Sequence, residues 1–159
     1  MKKIGIVTDS HSSISQEEAE KLGIFVLPMP FYIDGECFYE SVTLSRELFF
    51  EKLAAGADIT TSQPSPTAVM EIWDRALEQF EKILYMPISS GLSGSYETAM
   101  MLAKDEAYEG RVLVVDDGQV AAPLHQMVLD TLDMIKKGYE VKVFDLINTA
   151  QSDCYNPFA

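Results

Sequence analysis

Long apolar runs are missing from this 159-residue chain. No stretch approaches the ~20 residues that a membrane-crossing helix requires. The first strand-like run, Ile4–Val7, breaks at once into Thr8-Asp9-Ser10, too soon for the apolar core of a signal peptide. Basic residues are scarce: 12 Lys and Arg face 25 Asp and Glu, leaving a net charge of −13. Nucleic acid and anionic membrane surfaces both demand clustered cations, so both are disfavoured as partners, and no stable membrane insertion is expected. The two cysteines, Cys37 and Cys154, show neither CxxC nor metal-ligand spacing. They supply no disulfide framework and no metal site, and they suit a cytoplasmic protein.

Catalytic signatures are also absent. No GxxxxGK[ST] and no GxGxxG occurs, and Gly91-Leu92-Ser93-Gly94-Ser95 departs from the nucleophile elbow GxSxG at its last position. Only two histidines are available as bases. His125 sits within the apolar helical stretch Pro123-Leu124-His125-Gln126-Met127 and reads as a core or surface residue. His11 lies in the first loop, which alone is weak support for a small serine hydrolase using Ser93 with His11 or Asp9. The chain reads as a binding protein rather than an enzyme, with no cofactor.

A hydrophobic fraction of 47% is enough to build one ordinary core. Short β-rich runs alternate with amphipathic helices, which predicts an α/β fold with a mostly parallel sheet flanked by helices. Strands are expected at 4–7, 25–27, 31–33, 37–39, 82–86, 111–115 and 140–144, with Asp34-Gly35 as a hairpin turn. Helices are expected at 15–22, from Ser45 to about Ala55, at 66–80, 93–106 and 119–137. Ser15 with Glu18 forms a capping box. Val69, Ile72, Trp73, Ala76, Leu77 and Phe80 make one apolar stripe. Gly23, Gly56, Gly110 and Gly138 read as left-handed stops.

Three strands should end in polar loops: Thr8-Asp9-Ser10, Ser89 to Ser95, and Asp116-Asp117-Gly118. Ligands of open α/β sheets bind outside the carboxyl ends of the strands. In the second loop Gly91 and Gly94 admit close backbone approach, and the serines stand at a helix start whose free N–H groups favour an anion. A plain helix cap explains that pattern equally well. Thr60-Thr61-Ser62-Gln63-Pro64-Ser65-Pro66 precedes the strongest helix. Ser65 with Pro66 is a good cap, yet the four further hydroxyl or amide side chains from Thr60 to Gln63 point to a binding loop.

Taken together, Thr8-Asp9-Ser10, Thr61 to Pro66, Ser89 to Tyr96 and Val114-Val115-Asp116-Asp117 resemble the DegV family in order and spacing, over roughly residues 1–139. The resemblance implies the fatty-acid-binding subunit of a bacterial fatty acid kinase, which encloses a long acyl chain and presents its carboxyl group to a kinase partner. By the same resemblance Thr61 and Ser93 hold the fatty acid carboxylate, and Ser62, Gly94 and Ser95 add neighbouring contacts. Phe25, Leu27, Met29, Phe31, Ile33 and Phe38 are candidate tunnel residues, though most read as core.

Family members continue into a second domain that walls the other side of the tunnel. Residues 140–159 are expected instead to be an unrelated tail, resembling a fragment of a type IV secretion coupling protein. The chain thus reads as a truncated carrier: a 1–139 domain that retains lipid binding, or a folded remnant that binds nothing. The remnant would expose a hydrophobic face, which invites a homodimer.

Overall fold

Two sheets, rather than one, arise from the alternation of short strands and helices. The computed structural model describes residues 2–39, 42–116 and 118–139. The larger sheet holds β1 (Lys2–Asp9), β2 (Phe25–Leu27), β6 (Phe80–Met86) and β7 (Val112–Val114) in the order β2-β1-β6-β7. All three of its pairings are parallel, with Val7 opposite both Phe25 and Tyr85, and Tyr85 opposite Val114. The smaller sheet is antiparallel, in the order β4-β3-β5, from β3 (Pro30–Ile33), β4 (Glu36–Tyr39) and β5 (Ile59–Thr61). Asp34 and Gly35, at φ 50° and 83°, close the β3–β4 hairpin as expected. Two consecutive left-handed residues match the twist of such a hairpin.

Five α-helices complete the described residues: α1 (Gln16–Leu22), α2 (Arg46–Ala54), α3 (Pro66–Leu77), α4 (Ser95–Leu102) and α5 (Ala121–Lys136). Successive residues of β1 point to opposite faces. Val7 joins a core with Trp73, Ile72, Tyr85 and Tyr108 beneath α3 and α4. Ile6 joins a second core with Leu84, Leu124 and Val128 on the face carrying α1 and α5. Because both faces are covered, β1 and β6 read in sequence as near-continuous apolar runs. The small sheet keeps its own cluster of Phe31, Ile33 and Leu44, with Phe38, Phe49 and Ile59 packed beside it.

Three expectations shift. Phe80 does not end α3; it opens β6 opposite Lys2, and α3 stops at Leu77. Phe80 is buried in either role, so periodicity could not separate them. Thr60 and Thr61 lie in β5 rather than in a loop, paired with Tyr32 and Phe31. The helix expected from Ser93 begins at Ser95 and ends at Leu102, because Ser93 turns back to accept the Ser95 amide. The strand expected at 140–144 lies outside the described residues.

Candidate functional site

At the carboxyl edge of the parallel sheet, Asp9 ties two strand ends together. Its side chain is wholly buried and accepts the Ile88 amide at 2.8 Å and the His11 amide at 3.0 Å. Beside it, Thr8 Oγ1 donates to the Met86 carbonyl at 2.7 Å. Burial raises the Asp9 carboxyl above its ordinary range, although the two amides and the neighbouring His11 pull it back down. The third strand end is joined in turn. Ser89 N donates to the Gln119 carbonyl at 3.0 Å, and Ser90 N to Asp116 Oδ1 at 3.3 Å. The three polar loops expected at this edge therefore form one hydrogen-bonded rim, and the Asp9 and Asp116 carboxylates act as its struts.

From that rim the chain enters α4. Leu92 N and Ser93 N both return to the Ser89 carbonyl, at 3.0 and 3.2 Å. Ser93 Oγ lies 2.9 Å from Ser95 Oγ and accepts the Ser95 amide at 3.2 Å. The N-cap residue of α4, Gly94, has no side chain to cap it and Ser93 Oγ takes the first amide instead, whereas Ser15, Ser45 and Ser65 each cap their helices. The partial positive charge of a helix start favours an anion there.

A cavity of about 530 Å³ opens between the small sheet, α2 and the loop after β1. Such a volume falls in the range usual for small-molecule sites, roughly 300–1,000 Å³. Ile14, Val26, Phe31, Phe49 and Ile59 give it apolar walls, and Thr61, His11 and Arg46 stand along it. Ser10, Ser15 and Ser45 also reach it, but their hydroxyls already accept the amides of Met29, Glu18 and Leu48. Thr61 Oγ1 makes no hydrogen bond among the described residues, so it is open to a ligand.

The five expected site residues divide into two groups. Thr61 lines the cavity, while Ser62 lies on an adjoining cleft of about 340 Å³ and donates to the Gln63 carbonyl at 3.2 Å. Ser93, Gly94 and Ser95 sit together at the start of α4, and no hydrogen bond joins them to Thr61. Of the candidate tunnel residues, Met29 and Phe31 line the cavity, whereas Phe25 and Leu27 pack into the main core. Arg46 escaped the sequence reading. Its guanidinium lies over Phe50, 5.8 Å from the ring centre. The one signal for it was a cation in the first turn of a helix, where the dipole disfavours positive charge. His125 is structural: its Nε2 meets Glu18 Oε1 at 2.9 Å, pinning α5 to α1.

A family model described as "Uncharacterised protein, DegV family" matches residues 3–149. The chain belongs to the DegV family. It is 33% identical over 138 residues to the DegV domain-containing protein TTE1491 of Caldanaerobacter subterraneus, covering 87% of this chain and 49% of that protein. A DegV domain-containing 15.5 kDa protein of Staphylococcus aureus is 28% identical over 135 residues, covering 85% of this chain and 95% of that one. Among solved structures, "Fatty Acid Binding of a DegV family Protein from Thermus thermophilus" superposes with a TM-score of 0.84 at 29% identity, over 95% of this chain and 54% of that one. DegV of Bacillus subtilis shares the fold, with a TM-score of 0.83 at 21% identity. The chain thus spans about half the length of the Caldanaerobacter relative and of the Thermus structure.

The DegV match runs ten residues past the boundary read at 139, into the segment taken for an unrelated tail. None of these likenesses supports a kinship of that segment with a coupling protein. No helix among the described residues is long and apolar enough to cross a membrane.

Proposed function

We propose that this DegV chain binds a long-chain fatty acid and presents its carboxyl group to a kinase partner. Thr61 and Ser93 take the carboxylate, with Ser62, Gly94 and Ser95 around it, and the acyl chain lies against the walls of the 530 Å³ cavity. The observation that carries this reading is the unengaged Thr61 hydroxyl on an apolar cavity, in a fold whose Thermus relative is named for fatty acid binding.

The physics suits an acidic chain. Each buried methylene contributes about 0.8 kcal/mol, so the tail supplies most of the affinity whatever the net charge. The carboxylate costs several kcal/mol to bury unpaired. Local hydroxyls and the positive end of the α4 dipole offset that cost, each hydrogen bond to a charged acceptor giving roughly 1.5–3 kcal/mol. A carboxylate left at the rim of the cavity stays accessible to a phosphoryl donor held by a second protein. Binding fits better than hydrolysis, since the Ser93 hydroxyl pairs with Ser95 and not with a histidine.

Native mass spectrometry of protein purified from bacterial cells tests the proposal. One long-chain fatty acid should accompany each chain and disappear when Thr61→Ala is combined with Ser93→Ala. Two lost charge-assisted hydrogen bonds should weaken binding by roughly 10²-fold or more. A spectrum that stays empty after incubation with excess palmitate would establish the alternative of a folded, non-binding remnant.

A further inference from the structure

Gln63 is the side chain that spans the two halves of this site. It leaves the chain two residues after Thr61, at the end of β5, and reaches across to α4. There its Oε1 accepts the Thr98 hydroxyl at 3.4 Å. The same oxygen explains Gly94. A Cβ built at Gly94 would stand 3.1 Å from Gln63 Oε1 and 3.9 Å from its Cδ, with no other non-neighbouring atom within 4 Å. Gly94 has φ −74° and ψ 5°, a backbone open to any L-residue. Its missing side chain is therefore not a conformational need. The nearest atom a side chain there would meet is Gln63 Oε1.

The geometry points to Gln63 as a positioning residue that clamps the Thr61-Ser62 segment against the start of α4, so that hydroxyls from both can address one head group. This rests on the carboxylate reading above and deepens it. A single hydrogen bond accepted by a glutamine contributes modestly to stability, and that contribution bounds what the clamp can do for the head group. What it changes is the separation of two loops that no hydrogen bond joins directly through Thr61 and Ser93. An acyl tail in the cavity would not sense that separation, but a carboxylate bridging the loops would.

A double-mutant cycle of Gln63→Ala and Thr98→Val, which removes the hydroxyl that Gln63 accepts, tests this, read by the affinities of palmitate and hexadecanol in competition with cis-parinaric acid fluorescence. Acid and alcohol share the tail and differ only in the head. Gln63→Ala should cut the preference for acid over alcohol by ~5-fold and leave hexadecanol within ~2-fold. Thr98→Val should cause the same loss by releasing Gln63, and adding it to Gln63→Ala should cost nothing further. Losses that multiply in the double variant would overturn the clamp, as would equal weakening of acid and alcohol, which marks a general structural role. If palmitate binds the unaltered protein and Gln63→Ala keeps the full preference, the clamp alone falls. If palmitate displaces no probe from the unaltered protein, the carboxylate reading falls and takes the clamp with it.

Discussion

Asp9→Asn is the sharpest probe of how the rim is held. The buried carboxylate uses one oxygen for the Ile88 amide at 2.8 Å and the other for the His11 amide at 3.0 Å. An asparagine keeps one acceptor and turns an N–H₂ toward the other donor. Ile88 is itself buried, so a lost partner there is not replaced by water. An orphaned buried N–H costs about 1–3 kcal/mol, which for a domain of this size lowers the Tm by about 2–4 °C per kcal/mol. The pH dependence adds a second signature. Burial raises the folded carboxyl above its ordinary value of 3.8. The folded state therefore holds this proton more tightly than the unfolded state, and its contribution to stability falls as pH rises from 3.8 through the folded value. Asparagine has no such slope. Urea unfolding of both proteins from about pH 4 upward should show a deficit for Asp9→Asn that is largest in acid and narrows with rising pH. A deficit that is constant or widens would refute a carboxyl raised by burial. No deficit at all would refute its role as a strut.

Other substitutions test the core beneath the site. Among the described residues Tyr85 Oη is buried without a hydrogen-bond partner, so Tyr85→Phe should be neutral or stabilising in urea unfolding; a loss above about 1 kcal/mol would show that the hydroxyl is engaged. Gly5→Ala would set its Cβ 2.5 Å from Phe80 Cδ2, inside a packed core. It should destabilise by about 1–3 kcal/mol or more, and Phe80→Leu should recover part of that loss when combined with it. Additive costs in that pair would show that the methyl group collides elsewhere.

Local signals were legible wherever they were strong. Ser15, Ser45 and Ser65 cap the helices that follow them, and Gly23 and Gly56 stop helices at positive φ, because capping and left-handed stops depend only on adjacent residues. The stripe Val69, Ile72, Trp73, Ala76 and Leu77 lies buried on one face of α3. Phe80 was misplaced because burial in a helix and burial in a strand leave the same residue type behind. The loops that meet at the sheet edge were readable from their polar, glycine-rich composition. That Asp9 serves as a strut was not, since its donor at Ile88 lies 79 residues away.

Composition and local pattern by themselves determined the α/β class, the turn residues, the scarcity of cations and the motif set that marks the DegV family. All of these follow from neighbours along the chain or from totals. Tertiary structure alone decided that Thr61 belongs to a strand of a second sheet, that α2 with Arg46 walls a cavity beside it, and that Gln63 reaches α4. Those facts depend on segments that are apart in the sequence and meet only in the fold, where one polar side chain looks like any other until its partner is in place.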